Sequence, residues 1–176
     1  VELSDVNDNA PHWGQDPVTV SVAEDAAVGS AVWNFTASDA DAGPNGELRY
    51  SLVDAWPRTE NPQFSVDPLT GTLTLLAPLD FEVIADFTLV VRVTDQASNV
   101  SDRLSSSLTV RVMVRDVNDN APVFVSPASG TVTVMEDAEV GHSLCRITAV
   151  DRDSGENSRT TYTITAGNED GKFTLG

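Results

Sequence analysis

The sequence predicts an all-β protein: a seven-stranded Greek-key β-sandwich in tandem, its second copy truncated. Three observations predict it. Apolar and polar residues alternate with period two in run after run, turn-forming residues punctuate the runs, and four motifs recur in one order along the chain. No helical period of useful length competes with them.

The elements follow in order. Residues 17–23 alternate, and so do 30–38, where Ala31, Trp33, Phe35 and Ala37 are expected to face inward and Asn34 and Thr36 outward. A strand is expected at 48–53, then short ones around Phe64 and Val66 and around Leu73 and Leu75. Phe87, Leu89, Val91 and Val93 predict a long strand. Leu108, Val110, Val112 and Val114 predict the last, with Thr109, Arg111, Met113 and Arg115 on its outer face. Gly-Pro-Asn-Gly at 43–46, Asp-Pro-Leu-Thr-Gly at 67–71 and Asn99 supply turns. About seven strands with such punctuation match a Greek-key sandwich.

The repeat is the most informative feature. Asp-Val-Asn-Asp-Asn-Ala-Pro at 5–11 returns at 116–122, and Glu24–Asp25 returns as Glu136–Asp137. Asp39 and Asp41 return as Asp151 and Asp153, and Tyr50 as Tyr162, all at a near-constant spacing. This divides the chain into the end of a preceding repeat with a linker at 1–9, a complete repeat at 10–115, a linker at 116–120 and a partial repeat at 121–176. With no start methionine, and a last stretch that reads as strand, the chain is expected to be an internal fragment.

Composition narrows the function. There are 27 acidic residues against 10 basic, a formal net charge of -17. Such a surface repels nucleic acid and anionic membranes and needs a positive counterpart. No run of about 18 apolar residues predicts a membrane span. Cys145 is the single cysteine, so no internal disulfide forms; in an apolar run it is expected to be buried. His12 and His142 have no partner at ligand spacing and are expected at the surface or in packing. Trp13 is expected in the core, in register with Phe124, and Trp56 is expected to pack under a loop. Asn34-Phe35-Thr36 and Asn99-Val100-Ser101 are N-glycosylation sequons.

The acids carry the chemistry. Calcium takes about 6–8 oxygen ligands from carboxylates, amides and backbone carbonyls. Each 5–9 and 116–120 strip offers two Asp and two Asn on a backbone stiffened by the following Pro. Asp39 and Asp41, Asp151 and Asp153, and Asp80 and Glu82 are spaced two apart, which in extended chain puts each pair on one face. An EF-hand is excluded, because no loop carries its glycine and final Glu at the required spacing. Any one acid pair alone is a solvated loop; the strip occurring twice with matched satellites points to metal.

These residues resemble the extracellular cadherin repeat. The motifs are Ala23–Glu24, Asp39-Ala40-Asp41, Asn45–Gly46, Phe64 through Asp67 to Thr70–Gly71, Leu79-Asp80-Phe81-Glu82, Val93-Thr94-Asp95 and both Asp-Val-Asn-Asp-Asn strips. Phe81 departs from the Arg common there, leaving both flanking acids in place. The resemblance implies about three Ca²⁺ ions at each complete junction between repeats, each held by oxygen ligands. At the second junction it implies Glu24, Asp80 and Glu82; Asp116, Asn118, Asp119 and the carbonyls of Val117 and Asn120; then Asp151, Asp153 and the Asn157 carbonyl. At the first it implies Asn7, the Asn9 carbonyl, Asp39, Asp41, the Asn45 carbonyl and Asp95, with Asp5 and Asp8 only partly paired. It further implies calcium-dependent cell–cell adhesion with cadherin ectodomains in cis or trans as partners. The parent would be membrane-anchored, displayed on the extracellular face of the plasma membrane, and similar to the long Fat, Dachsous and protocadherin-like proteins. Two other classes are weighed: a hydrolase using a carboxylate pair, and a calcium module of a non-adhesive carbohydrate-binding or bacterial surface protein.

Overall fold

The computed structural model describes residues 4–15, 18–128 and 130–176, so Asp16, Pro17, the first three residues of the 1–9 segment and Ser129 lie outside the described residues. The chain forms two compact units, Val1–Asp116 and Val117–Gly176.

In the first unit seven strands make two sheets. One has the order β2 (Val18–Ala23), β9 (Ser105–Arg115), β8 (Asp86–Thr94), β5 (Arg49–Trp56). The other has the order β3 (Ala31–Asn34), β7 (Thr72–Leu75), β6 (Phe64–Val66). A short antiparallel pair, β1 (His12–Trp13) with β4 (Ala37–Ser38), forms a separate two-stranded sheet. Pairings within the sheets are antiparallel except β2 with β9, which run parallel from Val18↔Val110 to Ala23↔Arg115. The first and last strands of the four-stranded sheet, in chain order, thus lie side by side, a pairing that period-two patterning cannot reveal.

The period-two residues build the core. Val18, Val20 and Val22, Leu73 and Leu75, Phe87 to Val93 on alternate positions, and Leu108 to Val114 on alternate positions are all buried. Trp13 joins them at one end, its ring 6.2 Å from Phe35 and 5.9 Å from Tyr50. Phe64 and Phe87 meet edge to face at 5.2 Å. Alternation works because each strand buries one face and leaves the other to solvent.

The 30–38 run departs from expectation. It is two strands, because Phe35 N–H leaves the β3–β7 ladder to bond Gly71 O at 2.9 Å, and Thr36 O accepts from Gly14 N–H at 3.2 Å. The register shifts between Ala31 and Trp33, so Ala31 is exposed and Trp33 half-buried. Only Phe35 is fully inside. Gly71 is required there: its φ is +70°, and a Cβ would approach Phe35 O to 2.6 Å. The 43–46 turn winds into a single 3₁₀ turn at Gly43–Asn45, and Asn99 accepts from Ser101 N–H to cap another at Val100–Asp102.

Trp56 does not pack under a loop. It ends β5 opposite Thr88 and is 67 % exposed, because the pleat turns it away from the sandwich.

In the second unit, among the described residues, β10 (Val123–Ser126) pairs antiparallel with β11 (Thr148–Val150). Cys145 is exposed rather than buried. Its counterpart by the repeat is Trp33, which is held against Leu73 of β7. Residues 142–147 form no strand among the described residues, so no ladder holds Cys145 against a neighbour. His12 and His142 lie at the surface.

Candidate metal centres

One cluster forms where the 5–9 strip crosses the end of the first sandwich. Asp39 Oδ1 accepts the Asp41 N–H at 3.0 Å, so the 39–41 segment bends. It is this bend, not extended chain, that sets the two carboxylates. Asp41 Oδ2 accepts from Asn9 N–H at 3.1 Å and Asp41 Oδ1 from Asn9 Nδ2 at 2.5 Å. Asp8 Oδ1 accepts from Asn9 Nδ2 at 2.8 Å. Asp5 Oδ2 accepts from Ala42 N–H at 3.1 Å and Asn45 Nδ2 at 2.9 Å, so Asp5 is well engaged. Asn45 closes the 3₁₀ turn ahead of Gly46, where a Cβ would collide with Asp41 O.

Asp95 lies fully buried just past β8. It accepts from Ala97 N–H at 3.0 Å, Asn7 Nδ2 at 3.0 Å and Leu104 N–H at 2.7 Å. Burial is the largest single influence and pushes its carboxyl up; those three donors, with the Arg103 guanidinium, outweigh it and hold the group below the usual carboxylate range. Asn7 Nδ2 also donates to Asp102 O at 2.7 Å. Asp102 went unnoticed in the sequence because it acts through a backbone carbonyl, which no side-chain pattern betrays.

Two oxygens of this cluster, Asn7 Oδ1 and Asp39 Oδ2, are buried without a hydrogen-bond donor among the described residues. A buried acceptor lacking a donor costs on the order of 1–3 kcal/mol. A hard cation is the counterpart such oxygens fit.

The opposite end of the first unit holds another cluster. Glu24, Asp80 and Glu82 each offer a carboxylate oxygen, and these lie within 4.8 Å of one another. Ligands of one calcium, at roughly 2.3–2.6 Å from it, lie no more than about 5 Å apart. Glu24 follows β2 on the inside and its Oε2 accepts from Phe81 N–H at 2.7 Å. Asp80 and Glu82 come from a turn in which Ile84 N–H bonds Asp80 O at 2.9 Å. Phe81, which looks like a spacer, therefore positions the buried acid with its backbone. Asp116 follows directly on β9.

In the second unit the strip repeats the first. Asp153 Oδ1 accepts from Asn120 N–H at 3.2 Å and Asn120 Nδ2 at 2.7 Å, and Asp119 Oδ1 from Asn120 Nδ2 at 2.7 Å. Asp153 N–H bonds Asp151 Oδ1 at 3.0 Å, and Asp153 Oδ2 is a buried oxygen without a donor among the described residues. Asn157 sits in a turn with its N–H on Ser154 O at 3.1 Å. Val117 and Asn118 lie in the irregular strip between β9 and Asp119.

The cadherin domain family model matches residues 18–115 and 130–176. The chain belongs to the cadherin family. Cadherin repeats are calcium-binding modules, and the donor set above fits that ion. This cadherin chain is 45 % identical to Protein dachsous of Drosophila melanogaster over 99 % of its length and 5 % of the relative's. It is 42 % identical to human Protocadherin Fat 1 over 98 % of its length and 4 % of the relative's. Among solved structures, the protocadherin gammaB7 EC3-6 cis-dimer superposes with a TM-score of 0.88 at 32 % identity, covering 100 % of this chain and 43 % of that one. Mouse cadherin-23 EC22-24 gives a TM-score of 0.77 at 35 % identity, covering 89 % and 48 %. The chain thus spans a small part of its curated relatives' length. Among its described residues no helix is long and apolar enough to cross a membrane.

Proposed function

We propose that this chain is part of the ectodomain of a calcium-dependent cell–cell adhesion receptor, in which Ca²⁺ ions bridge and stiffen consecutive repeats. The observation that carries the reading is the pair of buried oxygens on Asn7 and Asp39, donorless among the described residues, inside a strip-and-loop motif that occurs twice. The repeat is read as 10–115, with linkers at 1–9 and 116–120 and a further repeat from 121.

About three ions per complete junction are assigned, each with an oxygen shell. Asn7, Asn9, Asp39, Asp41, Asn45 and Asp95, with Asp5 and Asp8, are the first set. Glu24, Asp80, Glu82, Asp116, Val117, Asn118, Asp119, Asn120, Asp151, Asp153 and Asn157 are the second. The bound ion supplies positive charge that cancels carboxylate repulsion. The chain's own residues do the rest: Phe81 N–H aims Glu24, Asn9 clamps Asp41, and Asn120 clamps Asp153. Metal bound only by the ordered state stabilises that state by mass action. Affinities on the order of 10⁻⁴–10⁻³ M, usual for extracellular modules, fill such sites outside the cell.

Other cadherin ectodomains, in cis or trans, are the proposed partners, and the parent is anchored at the plasma membrane with this region outside. No catalysis is assigned, in keeping with a family of adhesion proteins. A cleft of about 330 Å³ is lined by Asp54, Arg58, Glu60, Phe64 and Phe87, and the paired acids Asp39/Asp41 and Asp80/Glu82 are not in its walls.

Calcium titration by calorimetry, with limited proteolysis, tests the reading. Glu24→Ala and Asp119→Ala are each expected to lower the number of ions bound and to speed cleavage in calcium around 116–120. Unchanged stoichiometry and unchanged cleavage in both variants would sink it.

A further inference from the structure

The two N-glycosylation sequons sit in opposite environments. Asn34 is the last residue of β3, the edge strand of its sheet, and is exposed. The middle residue of its sequon, Phe35, is a core residue only 2 % exposed. Burying the middle residue of an extended tripeptide sends its neighbours to the other face. Asn34 and Thr36, on either side of it, are both exposed. The Asn34 carboxamide is also oriented. Its Oδ1 accepts from Thr72 Oγ1 at 3.1 Å, and Thr72 Oγ1 lies 2.8 Å from Thr70 Oγ1 on the Asp67 turn. This leaves Nδ2, the atom to be modified, without a hydrogen-bond partner among the described residues.

Asn99 has its reactive groups engaged. Its Oδ1 accepts from Ser101 N–H at 3.3 Å and its Nδ2 donates to Asp102 Oδ2 at 3.1 Å. The Ser101 hydroxyl donates to Asp102 Oδ1 at 3.0 Å. Both polar groups of that sequon are thus spent on one carboxylate, whose own residue also receives Asn7 through its carbonyl.

We propose that Asn34 is an N-glycan acceptor, used in preference to Asn99, and that its glycan projects from the free edge of β3. The donor class is an oligosaccharide linked through its anomeric carbon to a lipid pyrophosphate. The new bond joins Asn34 Nδ2 to that anomeric carbon. The bond from carbon to pyrophosphate oxygen breaks, the lipid pyrophosphate leaves with the electron pair, and Nδ2 gives up one proton; nothing is oxidised or reduced. An edge strand is open to pairing with other chains, and a bulky hydrophilic group there blocks it.

The proposal rests on the extracellular reading only for the route that would expose the chain to this donor, and the test supplies that route. The whole chain is secreted from mammalian cells behind an added signal peptide and treated with peptide N-glycosidase in ¹⁸O water. Peptide masses then report ¹⁸O-aspartate at 34 and at 99. Labelling of position 34 in most molecules, above that at 99, is expected. Thr36→Ala should abolish it and Thr36→Ser should retain it, which separates loss of the hydroxyl from misfolding. An unlabelled position 34 in secreted wild-type protein, or higher labelling at 99, overturns the proposal. Calcium titration of the same protein reports separately on the metal reading, so either can fail alone.

Discussion

The two units carry the same motifs on very different supports. In the first, Ala37 N–H donates to the Tyr50 hydroxyl at 3.1 Å; in the second, Ala149 N–H donates to the Tyr162 hydroxyl at 2.7 Å. Asn9 holds Asp41 as Asn120 holds Asp153, and both 39–41 and 151–153 close on the same 3.0 Å bond. Yet Trp13 is 8 % exposed where Phe124 is 69 %, and Phe35 is 2 % where Ile147 is 38 %. Short-range polar chemistry is complete wherever its motif occurs. Burial of the apolar face waits on strands far along the chain.

The contrast is broken most forcefully in the core. Leu89→Ala in β8 is expected to cost the first unit about 2–5 kcal/mol, because a fully buried leucine leaves a cavity. Ile147→Ala should cost under about 1 kcal/mol, since its side chain is partly in water already. Urea denaturation of the two variants against wild type measures the gap; equal losses would show that the second unit has a closed core after all.

A smaller effect sharpens the polar side of the comparison. Tyr50→Phe removes one hydrogen bond of a buried ring and should cost about 1 kcal/mol. Tyr162→Phe, with an exposed bond, should cost less. Amide exchange at Ala37 and Ala149 reads each directly, and the Ala37 amide is expected to exchange faster only in the first variant.

The sequence shows the local layer well. The buried positions of β2, β8 and β9 follow from alternation, and Trp13 is in the core as its place after Pro11 implies. What it hides is non-local or carried by the backbone. The parallel β2–β9 pairing joins segments separated by nearly the whole repeat. The Phe81 N–H that aims Glu24 and the Asp102 carbonyl that holds Asn7 leave no side-chain signature. Cys145 shows the same limit: an apolar run marks a face fit for burial but not whether a partner strand covers it. The bend at Asp39 likewise replaces extended chain because a carboxylate can bond the amide two residues on.

The smallest expected effect concerns acid. Asp67 takes the N–H groups of Thr70 and Leu69 and the Thr70 hydroxyl, and these hold its carboxyl below the usual range. A lowered folded value means its contribution is present above the unfolded value of about 3.9 and is lost as pH falls through the folded one. Asp67→Asn should therefore leave a shallower loss of thermal stability below about pH 4. A wild-type and a variant profile that coincide over that window would remove Asp67 from the account.

The side-by-side, same-direction run of β2 and β9 has a mechanical consequence. Because both strands point the same way, the chain comes into β2 at one end of the first sandwich and leaves β9, at Arg115 beside Ala23, at the other. Tension applied through the two ends of this unit pulls along the strands. The six register pairs from Val18 to Ala23 are then sheared together instead of being unzipped one by one.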